Sequence, residues 1–176
     1  HNAPLACIEA ERIVQAQGDL PHIVDLDFFA ECLERARNAA AAAMGAVRPL
    51  THIAHGQAKV EKVASNRRVF RDADGRIKAM RGSSCRNPEL RALPEGLIDP
   101  WLKTVAFYEK DRKIAACHYY ATHPQSFYGD PRASYDFPGI ARFVRGQDVP
   151  EALHVHFNGA GGNLGAGKYN DGAKEN

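Results

Sequence analysis

The sequence lacks long hydrophobic runs, and it lacks an excess of charge of either sign. No apolar stretch approaches the roughly 20 residues that a membrane-spanning helix needs, and 23 basic residues stand against 21 acidic ones, for a net charge of +2. The basic residues are not gathered into the patch or run that a nucleic-acid or membrane-surface protein normally carries. We therefore expect no transmembrane segment in this chain and no nucleic-acid partner.

Cysteine is scarce and scattered. The four cysteines, Cys7, Cys32, Cys85 and Cys117, lie far apart and form no Cys-x-x-Cys pair. This spacing argues against a zinc knuckle and against a dense disulfide framework. Two interpretations are left, buried thiols or one incidental disulfide.

The overall composition is that of an ordinary globular protein, with 44% apolar and 25% charged residues. A chain of 176 residues can form one sizeable domain with its own core, or part of a larger one. It begins at His1 without an initiator Met and stops at Asn176 shortly after a glycine-rich segment. We expect both ends to be cut.

Helical patterns come first along the chain. Residues 7–17 show a short helical pattern that Gly18 can end. A second helix is predicted from Asp25, a suitable N-cap, to Met44, because its apolar side chains recur at steps of three and four residues.

Extended structure is predicted next. Residues 51–69 alternate in polarity, and Asp72-Ala73-Asp74-Gly75 reads as a hairpin turn. The same Asp-x-Asp-Gly order begins an EF-hand loop, but no glutamate stands at the twelfth position, so a hairpin is favoured. Residues 81–100 are rich in proline and glycine and predict an irregular loop.

The remaining elements mix strands with one helix. Residues 102–108 and 114–121 predict two strands joined by a charged turn, residues 134–145 the start of a helix, and residues 153–157 a final strand. Interspersed helices and strands predict an α/β or α+β fold, with a mixed sheet and flanking helices.

Histidines are the first candidates for chemistry. His154 and His156 are two apart in a predicted strand and therefore share a face, where they could bind one ion or form hydrogen bonds as half-buried imidazoles. His118 and His123 flank the end of the preceding strand. His123 precedes Pro124, which keeps the chain extended where a rigid sheet commonly presents catalytic groups.

Arginines form a second set. Arg67 and Arg68 end an extended segment, and Arg86 lies in the predicted loop. An arginine aimed into a cleft can stabilise an oxyanion or hold a carboxylate, and the alternative is a solvated surface charge.

The glycine-rich segment has the spacing of a phosphate-binding P-loop from Gly162 to Lys168. However, Tyr169 stands where a Ser or Thr would hold magnesium, and the following Asn-Asp-Gly predicts a turn instead of a helix N-terminus. We therefore favour a backbone-lined loop whose small residues allow close approach.

Several short motifs occur in one order. Residues 120–126 read Tyr-Ala-Thr-His-Pro-Gln-Ser, and residues 134–142 read Ser-Tyr-Asp-Phe-Pro-Gly-Ile-Ala-Arg. Together with His1-Asn2-Ala3-Pro4, Asn66-Arg67 and the loop 158–164, they make most of the chain resemble the neutral/alkaline non-lysosomal ceramidases, which are zinc-dependent amidases. The sequence is more similar to uncharacterised bacterial relatives with the same glycine-rich ending than to the ceramidases proper.

The resemblance implies roles for the matched residues. His123 corresponds to a zinc ligand, and His1 to a histidine beside the metal that contacts the substrate or its developing oxyanion. Arg67 corresponds to an arginine that positions the reacting group, and Asp136 is expected to orient the site. Substrate contacts are expected from the glycine-rich loop, at Asn158, Gly161, Gly162 and Asn163.

The resemblance also implies a setting and a reaction. Residues 1–176 would be a single partial catalytic domain, truncated at both ends and part of a larger ceramidase-like domain, in a secreted or periplasmic protein. Zinc would be the cofactor, lowering the pKa of a bound water that attacks the carbonyl of a lipid or small-molecule amide. His1, Arg67 and His123 would converge on one cleft beside the glycine-rich loop.

Departures from the family pattern keep other functions open. Gly165 stands where ceramidases carry a serine, and the other metal ligands would fall before residue 1 or after residue 176. We therefore expect the chain alone to be inactive. The alternatives are a metallohydrolase of a non-lipid amide or ester, which Gly165 favours, and a non-catalytic relative that binds lipid or carbohydrate.

Overall fold

The computed structural model describes residues 7–22, 24–130 and 132–173. The chain divides into two compact units, His1–Pro49 and Leu50–Asn176. Neither unit contains, in its described part, a helix with the length and apolarity that a membrane span needs.

The first unit contains two helices, α1 (Ile8–Gln17) and α2 (Leu26–Met44). Gly18 ends α1 with a positive φ of 72°, a conformation that glycine adopts without steric cost. Asp25 caps α2, because its carboxylate accepts a hydrogen bond from the Phe28 amide at 2.9 Å. Both predicted helices are therefore confirmed.

The second unit contains eight described strands and two described helices. They are β1 (His52–Lys59), β2 (Ser65–Asn66), β3 (Phe70–Arg71), β4 (Ile77–Ala79), α3 (Pro88–Ala92), β5 (Trp101–Glu109), β6 (Arg112–Tyr120), α4 (Asp136–Asp148), β7 (Leu153–Asn158) and β8 (Leu164–Gly165).

The main sheet has the order β1-β5-β6-β7. The pairs β1/β5 and β5/β6 are antiparallel, whereas β7 runs parallel to β6. A parallel neighbour needs a crossover connection, and α4 lies within it. The predicted mixed sheet with flanking helices is confirmed, in its α+β form.

The buried part of this sheet is built from small side chains. Ala106 is 7% exposed and Ala116 is 1% exposed, and both lie in register as cross-strand partners. Small residues let α4 approach the same face of the sheet that carries Thr104, His118 and His154.

Two shorter strand pairs complete the unit. β3 and β4 form the predicted hairpin, and Gly75 adopts a φ of 78° in its turn. The Asp72 carboxylate accepts a hydrogen bond from the Arg76 amide at 2.8 Å, so it closes the turn. β2 pairs with β8, which brings residues 65–66 against residues 164–165.

The predicted irregular loop over residues 81–100 is wrong at its centre, where α3 forms. Asn87 caps this helix by accepting hydrogen bonds from the amides of Glu89 at 2.8 Å and Leu90 at 3.3 Å. Pro88 occupies the first turn, where its missing N–H costs nothing. The Asn-Pro pair indicated a turn, but it is a helix start.

The four cysteines are free thiols. Cys7 and Cys32 are exposed, Cys85 is buried, and Cys117 is intermediate. The buried thiol that the sequence suggested is therefore found at Cys85, and the incidental disulfide is not formed.

Arg81 is the largest fully buried side chain in the described part of the protein, at 0% exposure. Burial lowers the pKa of its guanidinium. The guanidinium donates hydrogen bonds to five backbone carbonyls, those of Asn66 at 3.0 Å, Leu90 at 3.3 Å, Leu93 at 3.0 Å, Pro94 at 2.8 Å and Glu95 at 3.3 Å. One side chain thus connects β2, α3 and the segment that follows α3.

We predict that Arg81→Met lowers the free energy of unfolding by about 3–5 kcal/mol, because it leaves several buried carbonyls without a donor. Urea unfolding followed by circular dichroism measures the change. The matched control is Arg76→Met, which removes an exposed arginine and should change stability by less than about 0.5 kcal/mol. Equal effects of the two substitutions would contradict this assignment.

Candidate functional site

His123 lies three residues beyond the end of β6. The chain before it is tightly held: Ala121 is 5% exposed and Thr122 is 1% exposed. The Gly159 amide donates to the Tyr120 carbonyl at 2.9 Å. This packing continues the β6/β7 pairing past the end of β6 and gives His123 a defined position at the strand end.

The imidazole of His123 is oriented by the glycine-rich loop. Its Nδ1 lies 2.8 Å from the Leu164 carbonyl oxygen. Because a carbonyl oxygen can only accept, Nδ1 must carry the proton. In the neutral ring the lone pair is therefore on Nε2, the arrangement that a metal-binding or proton-accepting histidine uses.

Arg67 contacts the same loop. It follows β2, and its amide donates to the Asn163 carbonyl at 2.8 Å. A Cβ placed on Gly165 would lie 3.8 Å from Cγ and 3.9 Å from Cδ of Arg67. The structure thus brings Arg67 and His123 to one three-residue segment, 163–165.

Unpartnered polar atoms are found around this segment. Arg67 Nε, Asn163 Oδ1 and Thr122 Oγ1 are buried and have no hydrogen-bond partner in the part of the chain that the structure describes. Buried polar atoms normally have hydrogen-bond partners. Several unpartnered atoms close together are typical of a site where another molecule or chain segment supplies the missing hydrogen bonds.

Asp136 lies at the first turn of α4, close in space to the loop after His123. Its carboxylate accepts hydrogen bonds from the Ser126 amide at 2.7 Å, the Ser126 hydroxyl at 2.8 Å and the Phe137 amide at 2.7 Å. Asp136 is 6% exposed and has a φ of 49°, which is uncommon for a residue other than glycine. These bonds join residue 126 to α4, and the orienting role of Asp136 stays a prediction.

The other predicted loop residues occupy different positions. Gly161 packs on the backbone of Thr122, since a Cβ there would lie 3.2 Å from it, whereas Gly162 has nothing within 4 Å of a Cβ.

Asn163 contacts Asn66 through its amide at 3.4 Å. Asn158 ends β7, where His156 Nε2 lies 3.2 Å from its Oδ1. His1 lies outside the described residues.

Lys168, the lysine of the P-loop spacing, forms its hydrogen bonds with backbone carbonyls in this structure. Its ammonium donates to the carbonyls of Arg91, at 2.8 Å, and of Leu93. These carbonyls belong to the C-terminal end of α3, which carries partial negative charge. Tyr169 beside it donates to Glu95, and burial raises the pKa of Tyr169 to about 12.

A cavity of about 630 Å³ lies next to this region. Its walls include Ser84, Arg86, Ser126, Phe137, Tyr169 and Asn170. Neither His123 nor Arg67 lines it. Asn170 borders the cavity and donates to the carbonyls of Ser83 at 3.1 Å and Ser126 at 3.0 Å.

Sequence reasoning missed Asn170 and Thr122. Asn170 connects the loop after β4 to the loop after His123, and Thr122 carries one of the unpartnered atoms. The only sequence signal for Asn170 is its place in the Asn-Asp-Gly turn. Thr122 could have been noticed because it stands between a buried strand and the candidate histidine.

The described residues do not by themselves form a metal centre. Within residues 7–22, 24–130 and 132–173, no group of three or more His, Cys, Asp or Glu side chains could hold a metal ion. His123 has the tautomer of a zinc ligand, but a catalytic zinc normally needs three protein ligands. Further ligands would have to come from outside the described residues.

Comparisons with known proteins give similarity in part of the fold. No protein-family model matches the chain, and no curated protein matches it. The neutral ceramidase from Pseudomonas aeruginosa is 18% identical, with a TM-score of 0.48, over 67% of this chain and 17% of that chain. A ceramidase complexed with C2 is 19% identical, with a TM-score of 0.48, over 68% of this chain and 17% of that chain. The chain thus spans 17% of the length of both structures, and a likeness this distant carries no statement about activity.

Substitutions of Gly167 and Gly162 test how closely the glycine-rich loop is packed. We predict that Gly167→Ala destabilises the protein by about 1–3 kcal/mol, because a Cβ there would overlap the Gly82 carbonyl oxygen. Gly162→Ala has nothing within 4 Å of the new Cβ and should change stability by less than about 1 kcal/mol. Thermal unfolding of both variants measures the difference, and equal melting temperatures would contradict the packing.

The tautomer of His123 can be observed directly. We predict that long-range ¹H–¹⁵N NMR spectra, recorded where the ring is neutral, show Nδ1 protonated and Nε2 unprotonated. Exposed His55 on β1 is the control, because a solvated imidazole favours the opposite tautomer. An Nε2-protonated His123 would show that the contact to Leu164 does not orient the ring.

Proposed function

We propose that this chain supplies one side of the active site of a zinc-dependent hydrolase that cleaves an amide bond. The observation that carries the proposal is the His123 geometry. A backbone carbonyl accepts from Nδ1–H at 2.8 Å, so the neutral ring carries its lone pair on Nε2 and has the tautomer of a metal ligand. Metal-binding histidines commonly donate a hydrogen bond from the ring nitrogen that does not bind the metal, and this bond fixes the tautomer and the orientation of the ring.

Arg67 and the 163–165 segment support the same role. Arg67 Nε is a buried donor without a partner among the described residues, and an amide carbonyl oxygen would satisfy it. In the reaction, negative charge develops on that oxygen, so a fixed cationic donor would bind the transition state more strongly than the substrate. Arg67 would then position and stabilise the reacting carbonyl.

The rest of the proposed site lies outside the described residues. His1 would stand beside the metal, as the family resemblance implies, and further ligands would come from other parts of the protein. The Asp136 hydrogen bonds to Ser126 would hold the loop after His123 in place. The proposed reaction is therefore that of the whole protein, and this chain alone is expected to be inactive.

The substrate is proposed from the resemblance to ceramidases, and it is a lipid or small-molecule amide. Gly165 favours the alternative of a non-lipid amide or ester, because no side chain stands where ceramidases have a serine. A non-catalytic lipid- or carbohydrate-binding protein is the second alternative.

His123→Ala in the longest natural form of the protein tests the proposal. We predict that this substitution lowers bound zinc, measured by inductively coupled plasma mass spectrometry, at least about tenfold, and lowers hydrolysis of N-acyl amides at least about 100-fold. His55→Ala removes an exposed histidine from β1 and should leave both unchanged.

The outcomes separate the alternatives. Equal zinc content in wild type and His123→Ala would remove His123 from the metal site. A wild-type protein without zinc or hydrolytic activity would favour the non-catalytic alternative. Activity on short acyl amides or esters but not on ceramide would favour the non-lipid hydrolase.

A further inference from the structure

A second cavity, of about 320 Å³, lies between α4 and the face of the sheet formed by β5, β6 and β7. Its apolar walls are Leu102, Ala116, Pro138 and Ala141. Its polar walls are Thr104, Lys113, His118, Arg142, Arg145, His154 and His156. None of these side chains belongs to the His123 and Arg67 site. The volume is at the small end of the range for small-molecule pockets, which begins near roughly 300 Å³.

The charge of this cavity is one-sided. Lys113, Arg142 and Arg145 contribute three cations, and no Asp or Glu among the described residues lines the walls. Arg142 is held in place because its Nε donates to the His154 carbonyl at 2.8 Å. The nearby acid is Asp148, whose carboxylate lies 3.2 Å from Arg145, and both side chains are largely solvent-exposed. A solvated ion pair of this kind neutralises little of the positive potential inside.

Histidines form a hydrogen-bonded chain along one wall. Thr104 Oγ1 lies 2.9 Å from His118 Nδ1, and His118 Nε2 lies 2.9 Å from His154 Nδ1. The strand register explains the chain, since Thr104 is the cross-strand partner of His118 and α4 covers the same face. His154 is 5% exposed.

The chain ends on an unpartnered atom. His154 Nε2 is buried and has no hydrogen-bond partner among the described residues. Each neutral imidazole has one donor and one acceptor nitrogen, so the three groups must point their hydrogens in one common direction. Hydrogens that run from Thr104 toward His154 make Nε2 a donor at the end of a polarised chain, and hydrogens that run the other way make it an acceptor. A bound anion selects the first direction.

The surroundings of the imidazoles favour their neutral form when the cavity holds no counter-charge. Burial lowers the pKa of His118, His154 and His156. The neighbouring cations Arg142, Arg145 and Lys113 lower the pKa of His154 further. A bound anion would oppose this effect, because it favours the protonated ring.

We propose that this cavity binds a small organic anion, such as a carboxylate or a sulfate or phosphate ester, whose apolar part packs on Leu102, Pro138 and Ala141. The cationic side chains of α4 and β6 and the donor end of the histidine chain bind the charged group. Charge-assisted hydrogen bonds in a partly desolvated cavity are stronger than those on an open surface. This site is independent of the proposed hydrolase reaction.

Binding is also linked to pH. The groups that face the cavity are Lys113 and His118 from β6, His154 and His156 from β7, and Arg142 and Arg145 from α4, with Asp148 beside Arg145; β5 contributes only Thr104 and Leu102. Among these, only the histidines change charge between about pH 5.5 and 7.5. An anion raises their pKa, so the bound state takes up protons and binding becomes tighter as the pH falls.

Isothermal titration calorimetry with benzenesulfonate tests the proposal, because this probe keeps its negative charge throughout that pH range. We expect benzenesulfonate to bind at least about tenfold more tightly than neutral benzenesulfonamide. Affinity should rise about threefold or more from pH 7.5 to 5.5. The ring NMR signals of His118 and His154 should shift on binding.

Arg145→Gln and Arg35→Gln form the matched pair of variants. Both arginines lie on helix surfaces and pair with an acid of the same helix, so both variants lose the same charge from a similar setting. Arg145→Gln should weaken benzenesulfonate binding roughly tenfold, and Arg35→Gln should not change it. Thr104→Val removes the hydroxyl end of the histidine chain and should reduce the pH dependence.

The proposal is overturned if benzenesulfonate and benzenesulfonamide bind equally, if neither binds, or if Arg35→Gln weakens binding as much as Arg145→Gln does. Histidine signals that shift only at exposed His52 or His55 would also overturn it, because they would show surface association on β1. These measurements do not depend on zinc or hydrolysis. Failure of the anion-binding proposal would therefore not contradict the hydrolase proposal, which the His123→Ala experiment tests separately.

Discussion

The buried guanidinium of Arg81 is the interaction on which the second unit depends. Its hydrogen bonds to five carbonyls hold β2, α3 and the segment after α3 in one arrangement. β2 in turn pairs with β8, and the loop containing β8 orients His123 and contacts Arg67. The orientation of His123, the candidate metal ligand, therefore depends on an arginine that does not touch it. A buried cation is costly to desolvate, and the hydrogen bonds from its two terminal nitrogens to five carbonyls offset that cost, while its Nε has no partner among the described residues.

Local signals in the sequence predicted most of the described elements. Helix α2, with its Asp25 cap, and the β5/β6 hairpin follow from periodicity and turn chemistry alone, which act over a few residues. The short helix α3 was missed because Asn-Pro is compatible with both a turn and a helix start. Asn87 caps the helix, and Arg81 and Lys168 donate to carbonyls at its C-terminal end from outside the helix. Patterns that extend over a few residues cannot predict contacts with distant residues.

The candidate site was harder to predict than the elements around it. The motif around His123 and the Asn66-Arg67 pair could be identified in the sequence, and the structure brings both to residues 163–165. The tautomer of His123 could not be predicted, because it depends on the Leu164 carbonyl 41 positions away in the chain. The histidine pair on β7 was predicted to share a face, and its partner His118 became visible only through the parallel register of β6 and β7.

The β2/β8 pairing has a consequence for the order in which the protein folds. Ser65 and the Gly165 carbonyl it contacts are 100 positions apart, and closing a loop of that length loses about 4 kcal/mol of chain entropy by (3/2)RT ln n. The β5/β6 hairpin closes through a short turn and can form early. We therefore expect the geometry at His123 to form after the β5/β6 hairpin, so that during folding the strands would be present before the site.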